Sequence, residues 1–188
     1  MAQTVANVSA AKPKIAGAIY VAEPTVTMPT DATTALSTTD WKSLGYVSNE
    51  GMTNSNSPNT GNVIAWGGDE VLTLYNEKTD TFQFKLLEVL NVDVLKFVYG
   101  DSNVTGTLQT GIHVTANNQM MPTKAFCCDM LMKDGVIKRI VVPNANVTAV
   151  GDIVYADSDA IAYDTTVSAK PDSNGATHHE YIAKASNS

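Results

Sequence analysis

The chain has 188 residues, of which 44% are hydrophobic and 16% charged, enough apolar material for one core and too much for global disorder. Twelve Lys and Arg against 19 Asp and Glu leave a net charge of −7, the reverse of a surface that grips phosphates, so tight nucleic-acid binding is excluded. No apolar run approaches the roughly 20 residues of a membrane span, and the first segment holds no continuous apolar stretch before a cleavage site, so the chain reads as unsecreted and soluble.

Residues 1–39 are poor in charge, and Pro24 and Pro29 break any helical period, which predicts an extended N-terminal arm. "TTDWKSLG" then reads as a short helix or turn, with Gly45 in the left-handed closing position. From Ser48 to Asn62 the only sizeable apolar side chain is Met52, which predicts a long polar loop over 48–62. Structureless loops beyond about 12 to 15 residues are uncommon in compact domains unless functional or disordered.

"EVLTLY" and "TFQFKLLEV" read as two strands of a hairpin with "NEKTD" as its turn. In "NVDVLKFVYGD" the period changes: Leu90, Val94, Leu95 and Val98 share a helical face, Asn91 can cap the start and Gly100 the end, predicting one helix over about 90–99. "KAFCCDMLMKDGVIKRIVV" is a second hairpin, turned at Asp134-Gly135, a dipeptide suited to positive φ at both positions.

Counting from Lys133 opposite Val136 puts Phe126, Cys128, Met130 and Met132 on one face with Ile137, Arg139 and Val141. Arg139 there needs a carboxylate or an exit at the rim. The other face mixes Asp129, Lys133 and Lys138 with Leu131 and Ile140 and reads as a subunit contact; Asp129, Lys133, Lys138 and Arg139 are the contact candidates. The last third reads as short strands, "NVTAV", "DIVYA" and "AIAYDTTVSA"; in the third, Ile161, Tyr163, Thr165 and Val167 alternate with Ala162, Asp164, Thr166 and Ser168, and one of the two faces is buried. Residues 171–188 are turn-rich and read as a C-terminal arm, leaving 40–170 as the domain.

Catalytic patterns are missing. "WGGDE" lacks the Lys and Ser/Thr spacing of a phosphate cradle and reads as a bulge or tight turn. His178, His179 and Glu180 alternate faces in an extended chain, which predicts surface residues and no metal site. There is no G-x-S-x-G, and the neighbours Cys127 and Cys128 read as reduced thiols in a buried strand. No enzyme activity and no cofactor are expected.

Taken in order, "PTDATTALSTTDWKSLGYVSNEGMT", "AWGGDEVLTL", "TFQFKLLEVLNVDVLKFVYGDSNVT", "KRIVVPNANVTAVGDIVYADSDAIAYDTTVSAKPDSNG" and "THHEYI" resemble the major tail, or tail tube, proteins of long non-contractile-tailed phages. The resemblance spans roughly residues 29 to 182. It implies a mainly β fold, a two-sheet sandwich or rolled barrel with one flanking helix, whose copies close into hexameric rings that stack into a tail tube for genome ejection. It also implies that the 48–62 loop reaches an adjacent ring through Ser48, Asn49, Glu50, Gly51, Met52, Asn54, Asn56, Pro58 and Asn62.

The acidic balance would line the lumen and repel passing double-stranded DNA, with Asp69 and Glu70 as lumen candidates. Implied partners are copies of the chain and the tail-tip initiator, tape-measure and terminator proteins. Implied locations are the virion tail and, during assembly, the host cytoplasm. Two other readings stay open: a carbohydrate-binding or adhesin-type β-sandwich using Trp41 and Trp66 as sugar platforms, and a small hydrolase built around His113 or the terminal histidines.

Overall fold

The computed structural model describes residues 4–14 and 18–184. Those parts of the expected arms at 1–3, 15–17 and 185–188 lie outside the described residues. The fold is mainly β: a nine-stranded sheet, a two-stranded sheet and one α-helix among the described residues. This agrees with a β-sandwich flanked by a helix; neither sheet closes into a barrel.

The strands are β1 (Ala11–Pro13), β2 (Ile19–Ala22), β3 (Lys42–Ser43), β4 (Val47–Ile64), β5 (Glu70–Leu86), β6 (Val104–Thr107), β7 (Gly111–Val114), β8 (Lys124–Met132), β9 (Val136–Val150), β10 (Tyr163–Lys170) and β11 (His179–Lys184). The large sheet runs β3-β2-β8-β9-β10-β5-β4, with β1 added to β8 and β11 to β9; β6 and β7 form the small sheet.

Helix α1 (Val92–Tyr99) forms where its sequence places it. The Asn91 side chain accepts from the Asp93 N–H, and Gly100, at φ 94°, closes the last turn through its N–H to Lys96 O. Val94, Leu95, Phe97 and Val98 are buried, whereas Leu90, expected on that face, precedes the helix and is exposed. The helix packs into a core built from Phe82, Phe84 and Leu86 of β5, Phe126 and Cys128 of β8, Ile140 and Val142 of β9, and Val167 of β10. Phe82 meets Phe126 edge-on with centroids 5.2 Å apart, and Phe84 stacks on Phe97 at 6.2 Å.

A second core lies on the reverse face of β8 and β9, where Trp41, Ala22, Ala125, Cys127 and Val141 pack with Val26, Met28 and Leu36. Residues 23–41 therefore cover this face, and a sheet buried on both faces has no simple alternation. Both cysteines are free and buried. Burial pushes both thiols up, Cys128 to about 12, which leaves them without thiolate character.

Five expectations need correction. The polar stretch 48–62 is no loop: it is most of β4, paired with β5 from Val47↔Leu86 to Ile64↔Glu70. "NEKTD" is no turn: Asn76–Asp80 continue β5, and the hairpin reverses at "AWGGD" instead. "DIVYA" belongs to an irregular, largely exposed segment between β9 and β10.

The Asp134-Gly135 turn forms with both φ positive and Val136 N–H donating to Lys133 O. Its register, however, pairs Leu131 with Ile137, Asp129 with Arg139 and Cys127 with Val141. One extra residue on the β8 side shifts the ladder by a step, and a one-residue shift changes which side chains share a face.

Finally, residues within the expected arms are integral to the sheet. Ile19 and Val21 of β2 are in the main core, and β11 pairs with β9 along its whole length.

Candidate assembly surface: the projecting hairpin and its root

β5 pairs with β10 only from Leu86 to Thr81. Beyond Thr81, toward the hairpin tip, it pairs with β4 alone, and apart from half-buried Gly61 both strands are exposed outward from Asn56 and Thr79. No face of this distal arm is covered by the body, so its side chains show no single-faced apolar alternation. Near the tip the arm exposes Trp66 fully, together with Tyr75, Val71, Ile64 and Leu72. Ala65 N–H donates to Asp69 O at 2.8 Å and Gly68 N–H to Ala65 O at 3.0 Å, with Gly67 and Gly68 at positive φ. "WGGDE" is thus a tight turn, as its composition predicts.

The loop candidates divide along this arm. Ser48, Asn49, Glu50 and Gly51 form an irregular stretch between the pairs Val47↔Leu86 and Met52↔Phe84, and Met52 packs against the main core. Asn54 stands at the root. Asn56, Pro58 and Asn62 are on the exposed arm opposite Asp80, Lys78 and Thr73. Pro58 lacks an N–H and is tolerated because β4 is an edge strand. Asp69 and Glu70 are at the tip, exposed.

The root is held by a buried carboxylate that the sequence did not single out. Asp80 is only 1% exposed. Asn54 Nδ2 donates to its Oδ1 at 2.8 Å, Thr177 Oγ1 donates to its Oδ2 at 2.5 Å, and His178 Nδ1 lies 2.6 Å from the same oxygen. Burial pushes this carboxyl up, but the hydrogen bonds from Thr177, Asn54 and His178 outweigh it and hold it below the usual carboxylate range. The C-terminal segment therefore clamps the point where the arm leaves the body. A hydroxyl and an imidazole in one short stretch were the available signal, but "THHEYI" shows nothing of its distant carboxylate.

Thr177 and His178 each bond separately to the same Asp80 oxygen, so the hydroxyl is spent on the carboxylate and not on the imidazole, unlike the nucleophile-to-histidine step of a relay. His179 pairs separately with Asp172 at 3.0 Å. Trp41 is 5% exposed in the second core, so it offers no ring to a sugar and does not share a surface with Trp66.

The four contact candidates separate. Arg139 and Asp129 are buried and bonded to each other, Nε to Oδ1 at 2.6 Å and Nη2 to Oδ2 at 2.7 Å. The register shift places them opposite one another, so they are internal residues and not subunit contacts. Arg139 Nη1 also donates to the carbonyls of Asp31 (3.1 Å) and Thr34 (2.8 Å), fastening the turn of "PTDATT" to the sheet. Lys138 pairs with Glu180 at 2.8 Å, and Lys133 is exposed at the turn.

Gly45 is required by close approach. At φ 71°, an added Cβ would fall 1.9 Å from the Glu88 carboxyl carbon, while Glu88 Oε1 accepts the Tyr46 N–H at 3.0 Å.

No curated protein matches this sequence. Residues 6–188, which include both cores, the hairpin and the clamp at its root, match the family described as phage tail tube protein, and the chain accordingly belongs to that family of structural phage tail proteins.

Proposed function

We propose that six copies of this chain close into a ring, that rings stack into the tail tube through which the genome is ejected, and that the β4–β5 arm joins neighbouring subunits. The observation that carries this reading is the arm itself: a two-stranded hairpin, uncovered on both faces, with an apolar tip. An exposed apolar surface of this kind marks an interaction site, and a long unpaired edge strand invites pairing with another chain. Within it, Asn56, Pro58 and Asn62 become arm-contact residues, and Ser48 to Met52 and Asn54 belong to its root.

The arm is a preformed hairpin, so joining a neighbour orders fewer residues than docking a 15-residue loop would, which lowers the entropic cost of association. Six copies of a chain at −7 give a strongly acidic ring, which repels DNA phosphates in transit. Assembly in the host cytoplasm, with tail-tip initiator, tape-measure and terminator proteins, follows from the same role. The exposed position of Asp69 and Glu70 at the tip favours contact over a lumen position for these two acids.

The test is negative-stain electron microscopy over a concentration series, beside a variant in which residues 56–79 are replaced by a short Gly-Ser turn. Rings or tubes from the parent, and no tubes from the variant, are expected. Monomers alone from the parent, even with tail-tip components added, would overturn the proposal.

A further inference from the structure

The distal arm carries an unbalanced charge. Between Asn56 and Thr79 the charged residues are Asp69, Glu70, Glu77 and Lys78, and none of them is in an ion pair among the described residues. The two tip acids stand beside Trp66 and Val71, so acidity and apolar surface are offered together within six residues.

The opposite charge is concentrated at one end of the large sheet. There the strand order is β1-β8-β9-β11, with Lys12 opposite Leu131, Lys133 opening the β8–β9 turn, and Lys184 opposite Val136. All three lysines are exposed, and none has an acidic partner among the described residues. Neighbouring lysines are committed: Lys138 to Glu180, and Lys14 to Asp129 at 3.9 Å. Four strands at about 4.8 Å spacing spread the free lysines over roughly 15 Å of this end, with Lys133 in the turn and Lys12 and Lys184 flanking it on opposite faces of the sheet, because Lys12 is in line with Leu131, Ile137 and Ala183. Exposed Asp134 is in the same turn, so the three lysines leave a local excess of positive charge in a chain with seven more acids than bases.

Beside this end lies a groove of about 420 Å³. Ala11, Lys12 and Ile19 form one wall, Val47, Glu50 and Met52 belong to the other, and Met130 stands with them. The two ends of the curved sheet, β1 and β2 on one side and β4 on the other, face each other here without pairing. Lys12 contributes to both the groove and the lysine-bearing end.

We propose that this groove and the lysine-bearing end of the sheet receive the hairpin tip of a second copy, with Trp66 entering the groove and Asp69 and Glu70 meeting Lys133 at the turn and the lysines that flank it. The inference rests on the self-assembly reading above and specifies its contact. A second copy fits because its tip supplies an apolar side chain to pack against Ile19, Val47, Met52 and Met130, and carboxylates for the unpaired lysines. The contact is heterologous: each copy gives one arm and accepts another, which yields a closed ring or an open stack according to the rotation between copies.

The experiment is sedimentation velocity of the full chain over a concentration series at low and high sodium chloride. It compares the parent with Lys12→Glu/Lys133→Glu/Lys184→Glu, with Asp69→Lys/Glu70→Lys, and with all five changes combined. Each one-sided reversal is expected to raise the concentration needed for assembly at least about ten-fold, the combined variant to recover most of that loss, and high salt to weaken the parent.

Circular dichroism checks folding. The tip reversal lies off the body and remains informative if the lysine reversal disturbs β1 or β11. Tryptophan emission is a second readout: with Trp41 already buried, a blue shift on assembly reports Trp66 entering the groove.

If the parent assembles while the reversals are silent, the combined variant recovers nothing, or Trp66 stays solvent-exposed, this docking site is wrong and the assembly reading stands. A parent that remains monomeric throughout removes both.

Discussion

Arg139 is 1% exposed, and its guanidinium is shared between one carboxylate and two backbone carbonyls. Removing one member of such a buried pair leaves the other charge without compensation, at a cost of about 3–5 kcal/mol. Arg139→Leu is therefore expected to lower unfolding stability by about that amount in denaturant titrations, and Arg139→Leu/Asp129→Leu to recover part of it.

Asp80 makes a different prediction, because its carboxyl is held below the ordinary range. A depressed folded pKa gives stability that is present in full above the unfolded value, about 4, and is lost as pH falls through the lower folded value. Between neutral pH and about pH 3, Asp80→Asn is expected to lose less stability than the parent does, as read by thermal unfolding at a series of pH values. Neither role was legible from single positions. The Arg139 partner depends on register, and the Asp80 partners come from residues 26 and 97 or 98 positions away in the chain.

At the scale of elements, the outcome depended on how much of the signal is local. Helix α1 was readable because its caps and its apolar spacing all sit within eleven residues. β10 was readable because Tyr163, Thr165 and Val167 are buried while Asp164, Thr166 and Ser168 between them are less so. The distal arm was not, since a strand exposed on both faces has no burial alternation and its polar sequence resembles a loop.

The same exposure predicts its dynamics. Amide hydrogens between Asn56 and Thr79 are expected to exchange fast in the free subunit, apart from the rest of the sheet, and to become protected on assembly, as measured by hydrogen exchange with mass spectrometry.

On the scale of the whole molecule, the terminal segments complete the fold. β2 places Ile19 and Val21 in the main core, and β11 occupies the flank of β9 beyond the end of β10. Deleting residues 1–22 is expected to abolish cooperative thermal unfolding, whereas deleting residues 1–8 leaves the melting temperature nearly unchanged, a contrast that calorimetry would read directly. A dispensable arm would survive both deletions.

The sequence by itself determined the mainly β class, the single capped helix, the turns at Asp134-Gly135 and Gly67-Gly68, and the tail tube family. Periodicity, capping and positive φ are properties of neighbouring residues, and the family resemblance rests on ordered blocks. Only the tertiary structure decided that the polar stretch 48–62 is one side of a projecting hairpin, that Arg139 turns inward to Asp129, and that both terminal segments join the sheet. Each of those outcomes depends on pairing between residues far apart in the chain, where one extra residue beside a turn is enough to change every partner.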